Sequence, residues 1–455
     1  MLTATLKWFG GKANNLFKME EKGISVPKTW VISNNYPLFL YKQYNIESND
    51  IESVKYFLDN LPKKVYRELF EEVSDFIKNN REIKRFAVRS SQTYEDGKEN
   101  SFSGLFYTGL NISKTGDITD EIIRCWKESY NDGVIEYSKR VSDFNVVPCS
   151  VIIQQFIQSE KSGVVFRWND KIIIDSNFGL AKSIVDGETG CDELIIDDLT
   201  KQIISYTNNK SYAIIPINSR VNPNNGDIVQ YNNLSNLQIA EFDNTTSTLK
   251  VKLDEESKKM EVLEEQEIGE LLNTCEKVSQ ELDIENYDVE WTFYEKKLYI
   301  LQCRPLTKPI TVNKLNSEKN LGIGLVSGEA TGIAVKVENE KDLKKLPDKN
   351  FILITKKLYG STILAANKAT GCMLQSKSPL SHSAIIAREI GIPVIGAVNL
   401  DTIVEGEFYY INGETGDYKI VDMVENSNEK GLSNTRLEKV DVSDFDEYFD
   451  YSINL

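Results

Sequence analysis

The chain has 455 residues, of which 40% are hydrophobic and 27% charged, the composition of a folded globular protein too long for one ordinary core. Its formal net charge of −16 argues against nucleic acid or an anionic membrane as partner, and it makes any anionic substrate depend on locally placed cations. No stretch approaches the roughly 20 apolar residues of a membrane span, and the N-terminus has no apolar core with a small-residue cleavage site, so a cytoplasmic protein is expected.

In chain order, "GGKANNLF" sets Gly10, Gly11 and Lys12 at the head of a helix. Glycines there let backbone approach a phosphate and the lysine adds a point charge, although a plain turn has the same look. "RFAVRSS" reads as a strand delivering Arg89 beside Ser90 and Ser91, and the loop "SFSG" (101–104) follows before Thr108. An arginine at a strand end can grip phosphate oxygens through paired N–H groups, or it can pair with Glu95 or Asp96. "DITDEIIRCWKESYNDGVIEYSKRVSDF" has the apolar spacing of a helix, while "CSVIIQQFIQ" and "KIIIDSN" read as strands. Such alternation is α/β or α+β material.

From about 205 to 255 the chain is polar and Asn-rich, as in peripheral hairpins or loops. "EEQEIGELLNTCEKVSQEL" then predicts an amphipathic helix, followed by the strand pair "YDVEWTFYEKKLYILQCRP". Alternation puts Glu290 and Thr292 on one face and Val289, Trp291 and Phe293 on the other, with Gln302 and Arg304 sharing a face. A three-residue turn at Glu295, Lys296 and Lys297 would set Glu290 opposite Gln302, whereas a two-residue turn would put them on opposite faces. In the first register one face offers a carboxylate, an amide oxygen and a guanidinium, suited to Mg2+ and phosphate. An exposed polar sheet face is the plain alternative. Residues 308–320 look like a linker, a second compact unit runs to about 423, and the tail is polar and acidic.

The cysteines, Cys125, Cys149, Cys191, Cys275, Cys303 and Cys372, stand singly with no CxxC pair, and read as reduced thiols in or near the core. The chain's one histidine, His382, lies in "SPLSHSAIIAREIGIPVIGAVN". Ser381 fits an N-cap, "SAIIAREI" a helical run and Gly391 the stop, with Pro393 beyond. His382 then falls in the first turn, where free N–H groups and the helix dipole favour neutral imidazole and would cradle an anion on the ring. A helix-start histidine kept for packing is the structural alternative.

The stretch from Leu380 to Gly396 closely resembles the phosphohistidine signature of phosphoenolpyruvate synthase, pyruvate phosphate dikinase and rifampin phosphotransferase. "GLVSGEATGIAVKV" and "YYINGETGDYKIV" resemble the opening and closing strands of the same swivelling domain. Upstream, Gln375 and Lys377-Ser378 stand where that family has a Glu and a Gly-Gly pair. "GGKANNLF" resembles the family's opening, with Asn14 in place of a third glycine. Val88 to Gly104 and the "EW…LYILQCRP" motif resemble its ATP-grasp domain.

The resemblance implies an α/β (α+β) fold: an ATP-grasp domain (1–308), a linker (309–321), a small swivelling phosphohistidine domain (322–424) and an acidic tail (425–455). It implies nucleotide contacts from Lys12, Arg89, Thr108, Gln154, Gln155, Ile157, Glu290, Gln302 and Arg304, with Mg2+ on Glu290 and Gln302. "FGLAKSIVDG" resembles a segment in which Lys182 would be a Glu. By the same resemblance, His382 takes the β-phosphate of ATP, AMP and inorganic phosphate leave, and the phosphohistidine serves a small-molecule acceptor. With no pyruvate barrel or rifampin-type acceptor domain expected, the acceptor would bind at the domain interface or on a companion subunit. A degenerate nucleotide-binding regulatory protein and an ATP-grasp ligase are the other readings, the ligase leaving His382 without a task.

Overall fold

The computed structural model describes residues 2–92, 107–132, 134–135, 146–185, 189–217, 238–243, 246–306, 322–338, 340–347, 350–358, 361–375 and 382–421. The 101–104 loop, the 309–321 linker, Lys377-Ser378, Ser381 and the 425–455 tail lie outside these residues.

Helix α1 (Leu2–Glu21) is broken at Gly10, whose φ of 80° and ψ of 169° are not helical. The break lets the chain touch a neighbouring strand end: a Cβ on Gly10 would stand 2.4 Å from the Ser91 carbonyl oxygen. Gly11 N–H donates to the Gln92 carbonyl at 3.0 Å, and Ala13 N–H to Ser91 Oγ at 3.2 Å.

Strands β1 (Thr29–Ile32), β2 (Phe86–Ser91), β3 (Thr108–Ile112) and β4 (Ser150–Gln155) form an antiparallel sheet in the order β1-β4-β2-β3. One face, with Val88, Val151 and Ile153, packs on helices that supply Leu69, Val73, Ile122 and Trp126. The other face carries Arg89, in register with Ile152 of β4, which joins a second core.

Strands β5 (Lys161–Trp168), β6 (Lys171–Phe178), β7 (Asp192–Asp197) and β8 (Ile203–Asn208) belong to a six-stranded antiparallel sheet. Strands β9 (Tyr212–Pro216), β10 (Gln238–Asp243) and β11 (Thr248–Lys252) make a small sheet of their own, so part of the Asn-rich region is regular β-structure. Helix α2 (Glu265–Leu282) starts with a capping box between Glu264 and Glu267 and ends at Asp283 in the left-handed conformation. Strands β12 (Tyr287–Tyr294) and β13 (Lys297–Pro305) complete the six-stranded sheet, in the order β13-β12-β5-β6-β7-β8. Val165, Ile174, Val289, Trp291 and Ile300 bury one face against Leu271, Cys275 and Val278 of α2. The opposite face of β12 is left to Asp288, Glu290 and Thr292.

The C-terminal sheet has seven strands: β14 (Ile323–Val326), β15 (Glu329–Lys336), β16 (Phe351–Thr355), β17 (Gly371–Leu374), β18 (Val394–Gly396), β19 (Phe408–Asn412) and β20 (Tyr418–Ile420). Strands β15 to β18 run parallel, while β14, β19 and β20 pair antiparallel at the two sides. Between β17 and β18 lies α3 (His382–Ile390), whose Ala384 and Ala387 pack on Phe351 and Leu353. Gly391, at φ 79°, ends it as the sequence predicts, its N–H donating to the Ala387 carbonyl at 2.9 Å.

The α/β class expected from the sequence is the observed one. Among the described residues, no helix is long and apolar enough to cross a membrane. The six cysteines are free thiols, and burial pushes those of Cys125, Cys191, Cys275 and Cys372 up, away from the thiolate that redox or metal chemistry uses.

Candidate active site

The strand pair β12–β13 sets Glu290 opposite Gln302, though not by the three-residue turn that a regular ladder would need. The connection is a two-residue turn, Glu295 and Lys296, both at positive φ, with Tyr294 facing Lys297. A regular ladder from that turn would put Glu290 and Gln302 on opposite faces. Instead the register shifts between Glu290 and Trp291, because Leu301 is an extra residue on β13. That bulge carries Gln302 back to the face of Glu290.

Arg89 reaches this pair from the first sheet. Its Nη2 donates to Gln302 Oε1 and lies 3.9 Å from Glu290 Oε2, and its Nη1 donates to the carbonyl of the bulged Leu301 at 3.3 Å. The Arg89 and Glu290 side chains are only 12% and 20% exposed, so their attraction is screened less than at a free surface. Thr108 faces Arg89 across the β2–β3 pair.

Arg304 carries its own anion. Its Nε donates to Asp288 Oδ2 at 2.7 Å, Nη2 contacts the same oxygen, and both side chains are buried. Burial pushes the Asp288 carboxyl up, Arg304 acts against that, and Glu290 adds to it. Asp288 was absent from the residues singled out by sequence, although its place two residues before Glu290 puts it on the same face.

The remaining expected residues are more dispersed. Lys12 follows the Gly10 break, and its charge reaches the buried Cys125 thiol. Gln154 is buried, its Nε2 donating to Thr29 Oγ1 at 3.1 Å; Gln155 is half-buried at the end of β4, and Ile157 is buried beyond it. Lys182, where an acid was expected by resemblance, pairs with Asp243 of β10 at 3.0 Å. Gln375 is exposed just after β17. For His382 the structure describes the backbone, as first residue of α3. That helix is anchored by Ser383 Oγ, which accepts from Leu358 N–H at 2.8 Å, and by Arg388, whose Nη2 donates to the Leu325 carbonyl at 3.0 Å.

Two cations and three oxygen-bearing side chains thus converge from two sheets, an arrangement suited to a polyphosphate with a divalent metal. No cluster of three or more His, Cys, Asp or Glu ligands occurs among the described residues. A metal here would rest on Glu290 and Gln302, which supply hard oxygens from directly opposed positions and so fit Mg2+ in kind.

Residues 6–321 match the family of the pyruvate phosphate dikinase AMP/ATP-binding domain, and residues 347–416 match the mobile domain of PEP-utilising enzymes. The chain belongs to the pyruvate phosphate dikinase AMP/ATP-binding family, joined to a mobile domain that contains His382. Relatives include a probable phosphoenolpyruvate synthase of Methanothermobacter thermautotrophicus, 24% identical across 90% of this chain and 60% of its own length. Another, from Pyrococcus horikoshii, is 25% identical across 95% of this chain and 59% of its own. The chain therefore spans about 60% of the length of these relatives. Among solved structures, D-alanyl-alanine synthetase A of Vibrio cholerae aligns with 67% of this chain and 56% of its own, at 8% identity and a TM-score of 0.26.

Proposed function

We propose that the chain is an ATP-dependent phosphotransferase of the dikinase type. A ring nitrogen of neutral His382 attacks the β-phosphorus of ATP; the bond to the α,β-bridging oxygen breaks, and AMP leaves with the electron pair. Water then takes the γ-phosphoryl group off as inorganic phosphate. The phosphate left on His382 passes to a small-molecule acceptor, and the free imidazole returns.

Arg89, Arg304 and Lys12 would hold the phosphates, with Thr108 beside them and Gln154, Gln155 and Ile157 near the base. Mg2+, held by Glu290 and Gln302, would neutralise charge on the β- and γ-phosphates. Residues 309–321 would be the hinge between a nucleotide domain (1–308) and the swivelling domain (322–424). Because the relatives are named phosphoenolpyruvate synthases, pyruvate is the first acceptor to assay. ATP as donor and six free thiols favour the cytoplasm.

One observation carries the reading: a single chain joins the AMP/ATP-binding family match to the mobile-domain match, and its one histidine lies in the second. Product analysis tests it. Incubated with ATP, the chain should release AMP and inorganic phosphate in equal amounts even within a single turnover, and His382→Ala should form neither. ADP as the nucleotide product contradicts the reading.

A further inference from the structure

Arg89 and a bound metal would need the same oxygens. The guanidinium donates through Nη2 to Gln302 Oε1, stands 3.9 Å from Glu290 Oε2, and is anchored through Nη1 to the Leu301 carbonyl. The bulge that brings Gln302 opposite Glu290 also aims the Leu301 carbonyl at Arg89. Arg304, the other cation of the face, is held by Asp288 through Nε and Nη2.

We propose that Arg89 is a placeholder cation: it competes with divalent metal for Glu290 and Gln302, and yields them only when a polyphosphate offers the guanidinium another partner. The proposal rests on the reading of Glu290 and Gln302 as metal-holding. Two cations at one half-buried carboxylate–amide pair repel, and at 12% and 20% exposure solvent screens that repulsion poorly. Metal alone is therefore refused. The triphosphate of ATP changes the balance, because it presents several anionic oxygens that a guanidinium can take in a forked grip. Arg89 then moves from protein oxygens to phosphate oxygens, and the metal takes its place. Metal entry becomes coupled to nucleotide entry, with the chain's own arginine as gatekeeper.

The test is Mn2+ binding to the full-length chain, read from the free-ion electron paramagnetic resonance signal and, where ATP is present, taken as the loss of signal beyond that caused by ATP alone. It is run with and without ATP, on a His382→Ala background so that no turnover occurs. Without ATP, Arg89→Met should bind Mn2+ about tenfold more tightly than the parent, the scale set by removing one partly screened charge. Adding Glu290→Gln should abolish that gain. Arg89→Lys, which keeps the charge but loses the fork to Gln302 and Leu301, should gain less, and it serves if the methionine variant fails to fold. ATP should tighten Mn2+ binding in the parent and much less in Arg89→Met. Mn2+ affinity without ATP that is unchanged or weaker in both Arg89 variants overturns the placeholder, while nucleotide-dependent Mn2+ binding by the parent would leave the functional reading standing. Nucleotide-dependent Mn2+ binding that survives Glu290→Gln overturns the metal assignment and the placeholder together.

Discussion

The Asp288 and Arg304 side chains are 2% and 9% exposed, so each is neutralised chiefly by the other. Removing one member of such a pair leaves a buried charge, which typically costs 3–5 kcal/mol. Asp288→Ala should lose about 3 kcal/mol in urea unfolding and weaken ATP binding, because Arg304 loses the anion that orients it. Unchanged ATP affinity would reduce Asp288 to a packing role. Glu193 gives a pH signature. It lies opposite Asp175 across β6–β7, and burial pushes its carboxyl above the ordinary value of about 4.3. With a raised folded-state pKa, its stabilising contribution is complete below the unfolded value and is lost as pH rises through the folded one. Glu193→Gln should therefore be more stable than the parent at neutral pH and lose that advantage in acid; thermal melts across that window check the sign.

Elements decide what single residues can meet. At Gly10, an alanine would need the left-handed conformation and would drive its Cβ into the Ser91 carbonyl. Gly10→Ala should cost about 2 kcal/mol in thermal or urea unfolding and raise the KM for ATP, since α1 can no longer close on the end of β2. Deleting Leu301 tests the bulge. The ladder from the Glu295–Lys296 turn would become regular with Gln302 still opposite Glu290, while Arg89 would lose the Leu301 carbonyl. ATP binding should therefore stay within about tenfold of the parent, and a larger fall would show that the bulge does more than set the register.

From sequence, the Glu290–Gln302 pairing is open: a three-residue turn would give it and a two-residue turn would not. The chain uses two residues and a bulge, neither marked by glycine or asparagine, and the bulge restores the pairing. The helices were more legible. Apolar spacing located α2, and Gly391 located the end of α3. For 205–255 the sequence leaves hairpins and loops both open, because polar asparagines conceal short apolar runs such as "YAIIP" in β9. The partners of Lys182 and Arg304 were also hidden: pairing across strands depends on register, and register on turns and bulges.

At the scale of the whole molecule, the motif order along the chain, from Gly-Gly-Lys to the histidine segment, was readable without structure, and the family matches follow the same order. What the linear order cannot supply is how α3 meets the nucleotide face. One physical link between the two halves is visible: Val134, from the helical segment after "NDG", is buried in the cluster of Leu325, Val335 and Leu353 beneath α3. The account asks the C-terminal sheet to leave and regain such contacts as it carries phosphate. Val134→Asp should loosen them and increase hydrogen exchange at β14 and β16, while leaving Mn2+–ATP binding within about twofold of the parent.

The central claim is that His382 is loaded from the β-position of ATP. It is tested most directly by incubating the chain with ATP radiolabelled at the β- or the γ-phosphate and measuring acid-labile, base-stable label on the protein after hydrolysis of the outer phosphate. The account predicts label retained from the β-position only, and none in His382→Ala. Label from the γ-position alone, or equal label with the histidine removed, would contradict it.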